Sequence, residues 1–113
     1  LGDVYKRQLL KRAMAIVEKN MDNIEFSTDE FAREMNMSRS NLHLKLKAIT
    51  GESTIDFIRK IRFNEAAKLL KDGRYTVAEV STMVGFNTPS YFATSFKKYF
   101  GCLPTEYIKK SKG

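Results

Sequence analysis

The chain is poor in the residues that build most catalytic and metal centres. Cys102 is the only cysteine among 113 residues, which excludes an internal disulfide framework and a cysteine-rich zinc site. His43 is the only histidine, so no histidine-based metal site or catalytic pair can form. No stretch approaches 18 consecutive apolar residues, which excludes a membrane-spanning helix. No glycine-rich phosphate-cradling loop is present, and no segment alternates apolar and polar residues as a half-buried strand would. The start has no charged-then-apolar signal pattern and does not begin with Met, so the expectation is a cytoplasmic fragment of a longer protein. These absences leave an enzyme without a constellation to work with: no catalytic residue, metal or cofactor is expected.

What is present is a basic, foldable chain. Lys and Arg number 20 against 13 Asp and Glu, a formal net charge of +7. A hydrophobic fraction of 42% supplies enough apolar surface to offset the entropy of ordering one domain. The positive charge fits nucleic acid, an anionic membrane surface or an acidic protein, and does not choose among them. Its distribution is more informative. Five acids (Asp22, Glu25, Asp29, Glu30 and Glu34) crowd the stretch from Asp22 to Glu34. Ser38 to Gly51 then holds Arg39, Lys45 and Lys47 with no acid, and Asn87 to Gly101 holds Lys97 and Lys98 with none. A charge run is most often a solvated face, but two acid-free basic windows also fit two contact surfaces.

Helical spacing dominates the apolar pattern. Leu9, Leu10, Ala13, Ile16 and Val17 predict a helix over about Val4 to Asn20. Residues 1–8 carry no convincing core position and read as a linker or non-native extension before a domain over 9–113. Ser27 and Glu30 form a capping-box pattern, as do Thr76 and Glu79. Asn36 suits a left-handed helix end, and Gly51 and Gly101 suit helix stops. A long helix over about 54–71 carries Ile55, Ile58, Ile61, Ala66, Leu69 and Leu70 on its apolar side. Thr88 caps a helix whose first position is Pro89, with Phe92, Phe96 and Tyr99 facing inward. Cys102 is expected to be partly packed, and the methionines to fill core gaps.

The chain repeats itself. The capping boxes Ser27/Glu30 and Thr76/Glu79 are offset by 49 residues. After a turn one residue longer in the second copy, Leu42 matches Phe92, Leu46 matches Phe96, Lys47 matches Lys97 and Gly51 matches Gly101. Each copy, over about 27–51 and 76–101, is a short helix, a tight turn and a second helix. That is the organisation of a helix-turn-helix, whose second helix enters a major groove. An ordinary helical hairpin looks similar when it occurs once; two copies with acid-free basic second helices are more specific. At about 100° per residue, the face opposite Leu42, Leu46 and Ile49 carries Ser40, Leu44 and Lys47, with Asn41 and His43 on its flanks. In the second copy the outward face carries Ser90, Thr94, Lys97 and Lys98, flanked by Tyr91 and Ala93. Ser, Thr, His and Asn can hydrogen-bond base edges, and Lys supplies charge to phosphates.

The segments Met37–Gly51, Phe57–Arg62 and Ala66–Leu70 resemble the C-terminal DNA-binding domain of AraC/XylS-type bacterial regulators, as do Val77–Val80, Val84–Phe86, Tyr91–Phe92, Phe96–Gly101 and Pro104–Tyr107. The wording of Met37–Gly51 is similar to versions of this domain in Bacteroidetes hybrid two-component systems. The resemblance implies an all-α fold of about seven helices, with two helix-turn-helix subdomains joined by a long linker helix. It implies sequence-specific binding of double-stranded DNA for transcription regulation, with two recognition helices in successive major grooves. Mapped by motif position, the base readers would be Ser40, His43, Leu44, Ser90, Tyr91 and Thr94. Phosphate contacts would come from Arg39, Lys47, Lys97 and Lys98. Implied partners are DNA, RNA polymerase and an upstream sensor or effector domain absent from this chain. Membrane contact by this domain is not expected, although it could form the cytoplasmic end of a membrane-anchored sensor. Relatives commonly carry Arg at the positions of Leu44 and Thr94. Its absence predicts an A·T-rich preference read through methyl contacts and shape, or weak specificity per module offset by dimerisation. The competing reading is a helical protein-interaction adaptor with weak or non-specific DNA binding.

Overall fold

The structure is a computed structural model that describes residues 2–112. Seven helices follow one another, with no strand among the described residues: α1 Gly2–Lys19, α2 Thr28–Glu34, α3 Arg39–Thr50, α4 Thr54–Asp72, α5 Val77–Met83, α6 Pro89–Phe100 and α7 Pro104–Lys112. The expected all-α, two-copy organisation is therefore present. The described chain divides into two compact units: residues 2–20 with 25–61, and residues 21–24 with 62–112. Residues 2–8 are already helical but exposed, and Leu9 is the first buried side chain.

The first unit closes around Ala13, Val17, Phe31, Met35, Leu42, Leu46 and Phe57, drawn from α1 to α4. Phe31 lies 6.0 Å from Phe57, ring to ring, so α2 and the first turns of α4 share one aromatic contact. Outside this core Glu34 ties α1 to α2. Its carboxylate accepts from Lys19 Nζ at 3.2 Å and Asn20 Nδ2 at 3.0 Å, and its backbone carbonyl accepts from Arg12 at 3.1 Å.

The second unit is held by aromatic packing. Phe63 on α4 has four rings of α6 within 6.5 Å, and Phe86 at 5.4 Å, so α6 is anchored along most of its length. Val80 and Val84 supply the α5 side of this core. Arg62 fastens the turn between α5 and α6. Its guanidinium donates to the Gly85 carbonyl at 3.2 Å and the Asn23 carbonyl at 3.0 Å. Partial burial lowers its pKa, because removal from water disfavours the charged guanidinium.

The turns inside the two copies use the same backbone device. Asn36 has φ of 58° and Gly85 has φ of 83°, both left-handed, one after each short helix. Gly51 and Gly101 end the second helices with φ of 78° and 84°. The expected stops are thus physical αL caps.

Four expectations need correction. The Thr76/Glu79 box is reciprocal, whereas at Ser27 only half forms: Ser27 caps the Glu30 amide, but the Glu30 carboxylate pairs with Arg33. Ile55 is 57% exposed instead of sitting on the apolar side of α4. The buried face of that first turn is set by Thr54, Phe57, Ile58 and Ile61, and Ile55 points about 110° away from their mean direction. Tyr99 is also exposed at 41% instead of facing inward, although its ring packs against Phe63 and Phe100, both at 4.9 Å. Of the methionines, Met35 is core, while Met14 on the outer side of α1 is exposed.

Candidate nucleic-acid interface

Each unit builds its second helix in the same way. In the first, the Ser38 hydroxyl accepts from the Asn41 amide at 3.1 Å, so α3 starts with a satisfied end. Leu42 and Leu46 are fully buried and lock the rotation of the helix. That rotation leaves Arg39, Ser40, His43, Leu44 and Lys47 all exposed. In the second unit, the Thr88 hydroxyl accepts from the Tyr91 amide at 3.1 Å, Pro89 occupies the first turn, and Phe92 and Phe96 are fully buried. The same rotation leaves Ser90, Tyr91, Thr94, Lys97 and Lys98 exposed. Every candidate residue therefore reaches solvent, and each group lies on one helix face.

The local chemistry differs between the two faces. On α6, Thr94 donates its hydroxyl to the Ser90 carbonyl at 3.0 Å, which leaves its lone pairs outward. Tyr91 rests its ring 5.5 Å from Phe86, fixing an otherwise free aromatic at the start of the helix. Lys97 and Lys98 make no ion pair among the described residues.

On α3 the basic window is acid-free in sequence but not in space. Arg39 pairs with Asp29 of α2 at 3.3 Å. Both side chains are well exposed, so screening keeps this pair weak. Lys45 is turned aside: its ammonium donates to the Tyr5 hydroxyl and lies 5.0 Å from the centre of the Tyr5 ring. That contact joins the first turns of α1 to α3, and gives exposed residues 2–8 one specific attachment. Lys47 remains as the cation of the outward face without an ion pair among the described residues.

A groove of about 520 Å³ opens beside α3. Ser40, His43 and Leu44 form one side, and Thr54 and Ile55 from the start of α4 form the other. Thr54 and Ile55 were not identified as site residues from the sequence. The signal lay in Phe57: once Phe57 and Ile58 define the buried face, the spacing sends Ile55 outward. Among the described residues no group of His, Cys, Asp and Glu could hold a metal ion, and no helix is long and apolar enough to cross a membrane.

Comparison with known proteins places this geometry. A family model described as a helix-turn-helix domain matches residues 31–110, most of the chain. The chain belongs to the AraC-type helix-turn-helix family. The sequence is 41% identical over 100 residues to histidine kinase P4 of Formosa agariphila, covering 88% of this chain but 7% of that protein. The C-terminal domain of AraT, a response regulator from Geobacillus stearothermophilus, superposes on this AraC-type domain with a TM-score of 0.83. It is 30% identical, covering 90% of this chain and 84% of that one. The DNA-binding domain of AdpA, solved in complex with a target DNA, shares the fold with a TM-score of 0.80 at 24% identity, covering 89% of this chain and 90% of that one. The chain spans about a third of the length of several other curated regulators it matches. It is thus a DNA-binding domain of the kind found in transcription regulators.

Proposed function

We propose that this domain binds double-stranded DNA sequence-specifically, with α3 and α6 as recognition helices in successive major grooves. The observation that carries this reading is their equivalent construction. Each is capped at its start, clamped by two fully buried side chains, and presents an outward face with no acid of its own: hydroxyl, imidazole, aliphatic and cationic groups on α3, and hydroxyl, phenol and lysine groups on α6. Such a face suits both tasks of a DNA reader: hydrogen bonding to base edges and neutralisation of phosphates. Ser40, His43 and Leu44 on α3 and Ser90, Tyr91 and Thr94 on α6 are the proposed base readers. Arg39, Lys47, Lys97 and Lys98 are the proposed phosphate contacts.

The domain serves on this reading as the output end of a longer regulator, with an upstream sensor or effector domain and with RNA polymerase as a second partner. Its place is the cytoplasm, including the cytoplasmic end of a membrane-anchored sensor. The similarity to a histidine kinase of which this region is 7% supports such an arrangement.

Fluorescence anisotropy with labelled duplexes tests the proposal. A selected duplex should bind more tightly than a scrambled one, and affinity should fall steeply as salt rises, because bound phosphates release counterions. Absence of binding at low salt would instead favour a helical adaptor that contacts protein.

A further inference from the structure

The two exposed aliphatic side chains beside α3 are not scattered. Leu44 on α3 and Ile55 on α4 are 66% and 57% exposed, and both line the same groove. We propose that Ile55 is a specificity-determining residue of the DNA interface, closing with Leu44 an apolar notch that takes the 5-methyl group of a thymine. This inference rests on the DNA-binding reading above and extends it to a helix other than the recognition helix.

Three features support it. The groove already contains three proposed base readers, so a base edge presented to α3 also meets the first turn of α4. Thr54, next to Ile55 in the wall, has its hydroxyl buried, so the surface it shows to the groove is carbon and backbone. The groove's arginine, Arg39, is directed to Asp29 at 3.3 Å. Guanine presents two acceptors in the major groove and cytosine an amino donor, and neither is satisfied by carbon. Thymine presents a methyl group at that edge, which gains from leaving water. Ser40 and His43 remain free to hydrogen-bond the neighbouring edges.

The test uses the duplex enriched from a random pool by this chain, and versions in which single thymines are replaced by deoxyuridine. Deoxyuridine differs from thymidine by the methyl group alone. Burying one methyl corresponds to about a four-fold affinity difference, so one position of the α3 half-site should show that loss. In Ile55→Ser and Leu44→Ser the ratio at that position should fall toward one. Circular dichroism should show both variants folded, since neither side chain is part of the core. Ile24→Ser, an exposed isoleucine outside the groove, should keep the full ratio.

A preserved ratio in Ile55→Ser, with binding intact, would overturn the role of Ile55 and leave the DNA reading standing. An equal loss for both duplexes would also overturn it, pointing to packing on sugar instead of a methyl. A wild-type chain that binds the selected duplex but distinguishes no thymine from deoxyuridine would do the same. Absence of duplex binding altogether would sink the underlying DNA reading.

Discussion

Replacing Gly85 tests whether the turn in the second unit is set by backbone conformation or by space. Gly85 has a φ of 83°, where an added side chain is strained. A Cβ placed there would also lie 2.6 Å from the Met21 carbonyl oxygen and 2.9 Å from the Arg62 guanidinium carbon. The carbonyl is backbone, and the guanidinium is held by the carbonyls of Gly85 and Asn23, so neither yields easily. Left-handed strain costs about 1–2 kcal/mol for alanine. Forcing atoms into a packed site adds about 1–3 kcal/mol. Gly85→Ala should therefore destabilise the second unit by about 2–5 kcal/mol, a large fraction of the roughly 5–15 kcal/mol typical of a domain.

The chain supplies its own controls for this experiment. Gly51 and Gly101 have nearly the same φ, but a Cβ at either would meet nothing within 4 Å. Their alanine variants should lose only the conformational part, about 1–2 kcal/mol. Asn36 occupies the equivalent turn of the first copy at φ of 58°, which shows that asparagine tolerates this conformation. Gly85→Asn thus relieves part of the backbone cost and keeps the collision. Urea denaturation followed by circular dichroism would rank the variants. The expected order of damage is Gly85→Ala, then Gly85→Asn, then Gly101→Ala. If Gly85→Asn proved as stable as the wild type, or Gly85→Ala no worse than Gly101→Ala, the close approach of Met21 and Arg62 would not constrain the turn.

Three other outcomes follow from the same geometry. Phe92→Ala removes a fully buried ring that packs on Phe63, Phe86 and Phe96, and should cost about 3–5 kcal/mol in the same unfolding assay. Lys97→Ala and Lys98→Ala should leave folding intact, weaken binding to all duplexes alike, and each lower the slope of log affinity against log salt by about 1. Asp29→Asn removes the acid that faces Arg39, so duplex affinity at low salt should rise and the salt slope should steepen; a fall in affinity would show that Asp29 positions Arg39 usefully.

Much of the architecture was legible from short-range features. Caps at Ser38, Thr76 and Thr88, glycines at positive φ and the 49-residue repeat are local, so their physical consequences can be read from neighbouring residues. The outward faces of α3 and α6 were legible for the same reason: burying Leu42 with Leu46, or Phe92 with Phe96, leaves one side of a helix free. The errors came where one side chain has competing partners or one helix serves two surroundings. Glu30 had Arg33 within reach as an alternative to the amide of Ser27. Ile55 was assigned to a buried stripe because α4 serves two cores, through Phe57 and Ile58 in one and Phe63, Ala66 and Leu70 in the other. No single apolar stripe describes such a helix.

By itself, then, the sequence determined an all-helical chain with a duplicated helix-turn-helix pattern and two helix faces free of acids. Periodicity, capping and left-handed glycine geometry act over a few residues, and they left little choice. Only the tertiary structure decided what each cation meets. Asp29 comes to Arg39 from another helix, Tyr5 comes to Lys45 across 40 positions of chain, and Lys97 and Lys98 keep no ion partner among the described residues. It also decided that Leu44 and Ile55 share a groove. Charge and apolar surface act through space, so their effect depends on neighbours that only packing brings together.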